Sequence, residues 1–254
     1  MTGSLFDLSG RTAVVTGASS GLGARFAAAL RAQGANVVLS ARRRDRIEAL
    51  AAQLGRDHAE AVQADVTDQA AMAALVARAV ERFGRLDVMV NNAGVARPRP
   101  AEEETPQAFN EVIGVNLGAV FTGCHEAGRI MLEQGSGSIV NVASVLGMIG
   151  SWRIPDASYC ASKGGVINLT RELGAQWARR GVRVNAIAPG WFPSEMTAEM
   201  VGTPSFERFV DRLVPAGRLG AESELDGVLV FLASDASSYV VGQTIAVDGG
   251  WSAV

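Results

Sequence analysis

The 254-residue sequence has little cysteine and no long apolar or basic run. Cys124 and Cys160 are too few for a disulfide framework, and we expect both to be buried, reduced thiols. Because no apolar run could cross a bilayer and residues 1–8 lack the features of a leader peptide, we expect a cytoplasmic protein that contacts no membrane. The net charge of −3 and the pI near 5.5 argue against a nucleic-acid partner.

Lysine and tyrosine are also scarce, and the single lysine lies close to one of the two tyrosines. Lys163 is the only lysine among 23 basic residues, and Tyr159 precedes it by four positions in a stretch predicted to be helical. That separation places the phenol and the ammonium on one helix face. An ammonium has an adjustable pKa, which a guanidinium lacks, so the pair is a candidate reactive site. The alternative is a surface lysine beside a half-buried tyrosine.

Apolar and amphipathic segments alternate along the whole chain without a composition break. Hydrophobic residues make up 48% of the sequence and charged residues 19%, as in globular proteins. The segments predicted to be strands are 11–16, 36–40, 59–64, 86–90, 138–142, 182–188 and 244–247. Helical patterns lie between them, including a long one over 109–133. The alternation predicts one α/β domain over residues 1–254, built on a parallel sheet.

A glycine-rich turn, from Gly17 to Gly23, joins the first predicted strand to the first predicted helix. A strand, such a turn and a helix form the first half of a dinucleotide-binding unit, in which helix amides hold a pyrophosphate. Glycines in a turn of this kind can also serve packing alone.

The second predicted strand ends in Ala41 and Arg42, with no acid before Asp45. A carboxylate at this place usually meets the ribose 2′-hydroxyl of NAD, whereas arginine meets the 2′-phosphate of NADP. The pattern therefore favours NADP, with NAD possible. Arg43 and Arg44 are predicted to be the solvated start of the next helix, an alternative that also exists for Arg42.

Two further side chains follow predicted strands. Asp65 could accept a hydrogen bond from an adenine amino group or cap the next helix. Ser144 ends the fifth strand, and ligands of open α/β sheets bind outside the carboxyl ends of the strands. We therefore expect Ser144 on the ligand side of the sheet.

The motifs occur in one order along the chain: Thr16-Gly17-Ala18-Ser19-Ser20-Gly21-Leu22-Gly23, Asn91-Asn92-Ala93-Gly94, Asn116, Ser144, Tyr159-x-x-x-Lys163 and Pro189-Gly190. Together they resemble the short-chain dehydrogenase/reductase family over essentially the whole chain. The resemblance implies a Rossmann-type, doubly wound parallel sheet of seven strands flanked by helices. It also implies an oxidoreductase that transfers a hydride between a nicotinamide cofactor and a carbonyl or secondary alcohol, with no metal.

The resemblance implies a catalytic tetrad of Asn116, Ser144, Tyr159 and Lys163. Tyr159 would be the acid for carbonyl reduction or the base for alcohol oxidation, its pKa lowered by Lys163 and the positive nicotinamide. Lys163 would also bond the nicotinamide ribose, and Ser144 the substrate oxygen. Asn116 would hold a water that links Lys163 to solvent.

The resemblance also implies a set of cofactor contacts. They are Gly17, Ser19, Ser20, Gly21, Leu22, Gly23, Arg42, Asp65, Val66, Asn92, Ala93, Gly94, Tyr159, Lys163, Pro189, Gly190, Phe192 and Ser194. Ser194 stands where family members often carry a threonine; it keeps the hydroxyl with less rotamer restriction.

Substrate contacts are expected from two loops, 145–158 and 191–215. The first is longer than in many relatives, around Trp152. Candidate walls of the substrate pocket are Met148, Trp152, Trp191 and Met196, and they favour a small or medium-sized, fairly apolar substrate. The same residues could instead belong to the core or to a subunit contact.

Two other functions remain open at this point. One is a 3-oxoacyl-thioester reductase acting on an acyl-carrier protein, for which Arg180 is the candidate docking cation. The other is a catalytically silent nucleotide-binding protein, which the intact tetrad argues against. The resemblance further implies a homotetramer built on the two long helices and the C-terminal strand.

Overall fold

The structure, a computed structural model, describes residues 5–150, 153–195, 197–198 and 200–254. The strands are β1 (Thr12–Thr16), β2 (Asn36–Ala41), β3 (Ala59–Gln63), β4 (Val88–Asn91), β5 (Gly137–Val142), β6 (Val182–Pro189) and β7 (Thr244–Val247). The α-helices are α1 (Gly21–Ala32), α2 (Arg44–Leu54), α3 (Gln69–Phe83), α4 (Pro106–Ile113), α5 (Ala119–Gln134), α6 (Ala157–Trp177), α7 (Pro204–Leu213) and α8 (Asp226–Ala233).

The seven strands form one sheet in the order β3-β2-β1-β4-β5-β6-β7, and every neighbouring pair is parallel. The predicted Rossmann-type, seven-stranded fold is therefore confirmed. The chain order reverses between β1 and β4, so the connections leaving these strands diverge. This reversal opens a crevice at the carboxyl ends of the strands, where such folds bind ligands.

The core lies on both faces of the sheet, as the continuous apolar strands require. Alternate residues of β1 enter opposite clusters: Val15 packs with residues such as Leu39, and Val14 packs with residues such as Met89. All four of these side chains are fully buried. Burial of each such side chain is worth about 1.5–3 kcal/mol, which fixes the strand positions and hence the residues that follow them.

The helical pattern over 109–133 is not one helix. A π-helical turn, Gly114–Gly118, separates α4 from α5 and contains the fully buried Asn116. Single π-turns widen a helix locally and are frequent at functional sites, because they re-aim the side chains that they carry. Sequence periodicity could not show this turn, since the apolar spacing on either side remains helical.

The burial of the two cysteines and the length of the helices test two further sequence predictions. Cys124 is buried as expected, but Cys160 is partly exposed, so the prediction of two buried thiols is wrong for Cys160. Neither forms a disulfide with a described residue. Within the described ranges, no helix combines the length and apolarity needed to cross a bilayer.

Candidate active site

A cavity of about 650 Å³ lies at the carboxyl ends of the strands. All the residues that the sequence assigns to the cofactor line it, and so does Ser144. The connections after each of the strands β1 to β6, and the tail after β7, contribute to its walls, because the parallel strands end at one edge of the sheet.

The glycine-rich turn forms one wall, and its geometry excludes side chains. A Cβ on Gly17, where φ is +69°, would lie 2.9 Å from Asn92 Nδ2, and one on Gly23 would overlap the carbonyl oxygen of Gly17. The N-cap of α1, Ser20, makes no side-chain capping bond, so the amides of the first helical turn keep their capacity to bind an anion. These features fit a nicotinamide dinucleotide, whose pyrophosphate needs a close backbone approach.

The second wall follows β4 and locks the glycine-rich turn in place. Asn92 donates through Nδ2 to the carbonyl oxygen of Thr16 at 2.9 Å, and its backbone N–H donates to Thr16 Oγ1 at 3.0 Å. The adjacent Asn91 points the opposite way, because residues alternate along a strand. Its side chain is buried and donates to Asn141 Oδ1 at 2.9 Å.

The two candidate adenosine contacts occupy the exposed end of the cavity. Asp65 does not cap α3, whose N-cap is Asp68. Instead Asp65 Oδ1 accepts from the N–H and the hydroxyl of Thr67 at 3.0 and 2.8 Å, and these bonds, the backbone one first, lower the pKa of Asp65. Arg42 is exposed on the cavity wall, and its guanidinium donates no hydrogen bond to a described residue.

Arg43 departs from the sequence prediction, which treats it as a solvated helix start. Its guanidinium lines the cavity and donates to the hydroxyls of Ser19 (2.9 and 3.1 Å) and Ser20 (2.7 Å), and to the carboxylate of Glu195. That prediction is wrong because Arg43 is the N-cap of α2, and its position just outside the helix turns the side chain towards the cavity. Arg44, in the first turn of α2, is exposed as expected, and it pairs with Glu48.

At the inner end, Tyr159 and Lys163 project from α6 toward the end of β5. Lys163 is 3% exposed, and its Nζ donates to the carbonyl oxygen of Val142 at 2.7 Å. Nζ lies 5.6 Å from the centroid of the Tyr159 ring. Ser144, two residues after Val142, lies close enough to the Tyr159 side chain to act against the rise in its pKa. The structure thus brings together three residues from two elements, as the sequence predicts.

Burial dominates the electrostatics of this inner end. It lowers the pKa of Lys163 to about 8 and raises the pKa of Tyr159 to about 12, against the opposing effect of Ser144. Among the protein groups alone, burial therefore outweighs the groups that lower the pKa of Tyr159; the expected depression, which includes the charge of a bound nicotinamide, stays a prediction. Lys163 does not reverse the effect, because its ammonium donates to Val142 and its own charge is disfavoured by burial.

Asn116 lies behind the cavity wall rather than in it. Its side chain forms a reciprocal pair with the backbone of Val95, both bonds being 2.8 Å, and donates to Ser162 Oγ at 3.1 Å. A Cβ on Gly94 would be 3.3 Å from Asn116 Oδ1 and 3.6 Å from Lys163 Nζ, so both groups converge on the same glycine. The π-turn orients the Asn116 side chain towards this segment, and its hydrogen bonds to Val95 stabilise the chain that follows β4.

Asp156 is a functional-site residue that the sequence reasoning missed. It is 6% exposed, lines the cavity and caps α6 by accepting from the N–H of Tyr159 at 3.2 Å. It also accepts from the N–H of Arg97 at 3.1 Å, and burial raises its pKa. An aspartate three residues before Tyr159 is an N-cap signal that could have identified it.

The substrate walls agree only partly with prediction. Trp191 lines the cavity as predicted. The assignment of Met148 to the substrate pocket is wrong, because its side chain is half exposed and lies beside Ile167 and Arg171 on the outside of α6. The short turn after Ser144 directs Leu146 towards the cavity instead. Trp152 and Met196 lie outside the described residues. Further apolar walls come from Ile154, Met200 and Trp251. Trp251, in the tail after β7, stacks on Trp191 with ring centroids 5.5 Å apart, a contact that sequence order does not reveal.

The whole-chain comparisons agree with this geometry. The family model described as Enoyl-(Acyl carrier protein) reductase matches residues 17–252. The chain belongs to the short-chain dehydrogenase/reductase family. It is an NAD(P)-dependent oxidoreductase acting on CH–OH or carbonyl groups.

Relatives within this family carry diverse names. The chain is 43% identical to galactitol 2-dehydrogenase (L-tagatose-forming) of Cereibacter sphaeroides, over 98% of this chain and 97% of that one. It is 44% identical to cis-4-hydroxycyclohexanecarboxylate dehydrogenase of Sinomonas cyclohexanicum, over 96% and 97%. The crystal structure of a gluconate 5-dehydrogenase from Burkholderia cenocepacia, in complex with NADP and tartrate, has a TM-score of 0.93 and 36% identity, with 98% of each chain covered.

Proposed function

We propose that the protein is an NADP-preferring oxidoreductase that interconverts a secondary alcohol and a carbonyl on a small or medium-sized, neutral and fairly apolar substrate. The observation that carries this proposal is the convergence of Ser144, Tyr159 and Lys163 at the inner end of a cavity with arginines at its outer end. In this proposal residues 1–254 act as one NAD(P)-binding domain, and segments 145–158 and 191–215 border the substrate.

Proton transfer is assigned to Tyr159. Its raised pKa keeps the phenol protonated at neutral pH, which is the form that can protonate a carbonyl oxygen during reduction. Ser144 donates a hydrogen bond to the same oxygen and stabilises the negative charge that develops there. A bound nicotinamide would supply the hydride for reduction or accept it in oxidation.

Lys163 and Asn116 support this proton transfer. With its pKa lowered to about 8, Lys163 can hold or release a proton near neutral pH, and we assign it a hydrogen bond to the nicotinamide ribose. Asn116 fixes the backbone at Val95 and converges with Lys163 on Gly94, which supports its assigned role in holding a water that supplies protons.

The preference for NADP rests on charge at the end of β2. Arg42 and Arg43 line the cavity there, and Ala41 stands where NAD-dependent relatives usually place a carboxylate. Guanidinium groups bind phosphate with two parallel hydrogen bonds, whereas a 2′-hydroxyl offers no charge to bind. A relative of the same fold whose structure contains NADP supports the proposal.

The substrate class rests on the walls around Tyr159. Tyr159 packs in one apolar cluster with Leu146, Trp191, Met200 and Trp251. Among the described residues of that end, Asp156 is the nearby acid and Lys163 the one cation lining the cavity. Among the described lining residues, a carboxylate on the substrate would find no second cation to pair with and would meet Asp156, whereas a neutral apolar ring would bury its faces against the two indoles.

The acyl-carrier-protein alternative loses its candidate cation. Arg180 precedes β6, so it lies at the amino edge of the sheet, opposite the cavity. A carrier docked there could not deliver a thioester to Tyr159.

We also propose a cytoplasmic homotetramer; the exposed Phe121 on α5 supports a subunit contact there, since exposed aromatic rings are typical of interfaces.

A substrate panel followed by NADPH absorbance tests the function. 4-Methylcyclohexanone and 4-oxocyclohexanecarboxylate form a matched pair that differs in charge, and the oxidation of D-gluconate and galactitol is measured beside them. We expect kcat/KM for the neutral ketone to exceed that for the charged one by about tenfold, the cost of leaving a carboxylate unpaired. NADH replaces NADPH in a parallel series. A preference for the carboxylate would contradict the substrate class, and equal use of NADH would contradict the cofactor preference.

A further inference from the structure

Glu195 connects two walls of the cavity that are far apart in sequence. It lies in the segment between β6 and α7, and its carboxylate reaches the opposite wall formed by the glycine-rich turn and α2. Oε2 accepts from Arg43 Nη2 and from Ser20 Oγ, both at 2.8 Å. Oε1 accepts from Arg43 Nη1 at 3.1 Å and from Arg46 Nη1 at 2.5 Å. The carboxylate thus holds Arg43 in the two-pronged manner that a phosphate would use.

Arg43 has few donors left beyond these contacts. Its Nε and Nη2 donate to Ser19 Oγ, and Nη2 also donates to Ser20 Oγ. A guanidinium has five N–H groups in one plane, so an added anion must share or take the positions that Glu195 uses. The end of β2 is where dinucleotide-binding folds recognise the adenosine 2′ substituent. Glu195 and a 2′-phosphate therefore require the same donors.

We propose that Glu195 is a cofactor-specificity residue, whose carboxylate competes with the 2′-phosphate of NADP for Arg43. The inference rests on the proposed use of NADP. NAD carries a hydroxyl at this position and meets no such competition. Arg42 and Arg43 favour NADP over NAD, and the carboxylate of Glu195 therefore reduces that preference.

The charge of Glu195 persists over the working pH range. Hydrogen bonds from Arg43, Ser20 and Arg46 lower its pKa to about 2. The carboxylate is about half exposed, so water screens the pair and an exchange of partners costs little. A phosphate that arrives beside an ionised Glu195 meets like-charge repulsion, which a 2′-hydroxyl does not.

Binding of two adenosine fragments tests the proposal without turnover. Calorimetry would measure Kd for 2′,5′-ADP, which carries the 2′-phosphate, and for 5′-AMP, which lacks it. Glu195→Gln keeps the size and removes the charge, so we expect Kd for 2′,5′-ADP to fall about two- to fivefold, as for the loss of an exposed charge contact, while Kd for 5′-AMP stays the same. In an Arg43→Ala background, the same substitution should lower Kd for 2′,5′-ADP by a smaller factor, because only the direct repulsion between Glu195 and the phosphate remains, and it should leave Kd for 5′-AMP unchanged.

Glu207→Gln is the matched control, since Glu207 is exposed on α7 and does not line the cavity. If it changes binding as Glu195→Gln does, the effect is net charge alone and the proposal fails. Weaker binding of 2′,5′-ADP to Glu195→Gln would mean that Glu195 orients Arg43 for the phosphate, which also contradicts competition. Wild-type protein that binds both fragments equally would refute the NADP preference itself. A wild-type preference that Glu195→Gln leaves unchanged would refute only the role of Glu195.

Discussion

The two ends of the cavity hold their charged groups in different ways. At the inner end, Lys163 is almost wholly buried, and a backbone carbonyl of β5 holds its ammonium. At the outer end, Arg43 and Glu195 are 40% and 53% exposed and are held by other side chains. Accordingly, burial shifts the pKa of Lys163, whereas hydrogen bonds shift the pKa of Glu195.

This difference separates chemistry from recognition. A buried ammonium fixed by backbone cannot easily change partners, and its pKa moves toward neutrality because water is excluded. An exposed ion pair loses little when one anion replaces another. Substitutions at the inner end should therefore have large effects on turnover or stability, and substitutions at the outer end modest effects on cofactor choice.

Tyr159→Phe should produce the largest effect, because it removes the proton donor and preserves the ring packing. We expect kcat to fall about 10²–10⁴-fold, the usual contribution of a positioned acid or base. NADPH binding, measured by fluorescence titration, should stay unchanged. Tyr239→Phe is the control, since Tyr239 is the other tyrosine and is fully exposed. Unchanged turnover in Tyr159→Phe would refute the proposed mechanism and remove the functional contrast between the two ends.

Lys163→Met should raise stability, because the wild-type fold confines an ammonium that burial disfavours. A pKa of about 8, against about 10.4 in the unfolded chain, corresponds to roughly 3 kcal/mol. Between these values the unfolded chain binds more protons than the folded one, so wild-type stability rises with pH across that window. The advantage of the variant should therefore be full below about pH 8 and vanish near pH 10.4.

Thermal unfolding at several pH values measures this effect, with an expected gain of roughly 5–10 °C at pH 7 in protein without cofactor. Arg44→Met is the matched control: it removes an exposed cation paired with Glu48 and should show no such pH dependence. A constant difference between Lys163→Met and wild type across pH 7–10.4 would contradict the buried charge.

Arg42→Ala and Arg43→Ala address the outer end, where we expect smaller effects. Each should raise KM for NADPH about tenfold and KM for NADH less than twofold, as for loss of one charge-assisted hydrogen bond to phosphate. Arg44→Ala should change neither value, since this side chain is exposed and pairs with Glu48. An equal rise for both cofactors would mean that the substituted arginine does not meet the 2′-phosphate.

Much of the site could be predicted from the residues that end or follow the predicted strands, because a parallel sheet brings these residues together at one edge. Ser144, Asp65 and the glycine-rich turn were found in this way, and all line the cavity. Asn116 was assigned through the family resemblance, but its position in a π-turn depends on backbone hydrogen bonds that periodicity does not encode. Arg43 was assigned to solvent because its neighbours are helical, although it stands one residue outside the helix.

The sequence by itself determined the sheet, the family and the pairing of Tyr159 with Lys163, because strand burial and a four-residue helical spacing are local properties of the chain. Tertiary structure decided how those groups behave. Only packing could show that the pKa of Tyr159 is raised, since burial depends on every element around the ring. Likewise, Glu195 meets Arg43, and Trp251 meets Trp191, across long stretches of sequence. Such contacts depend on how the sheet brings its loops together in space, which the spacing of residues along the sequence does not predict.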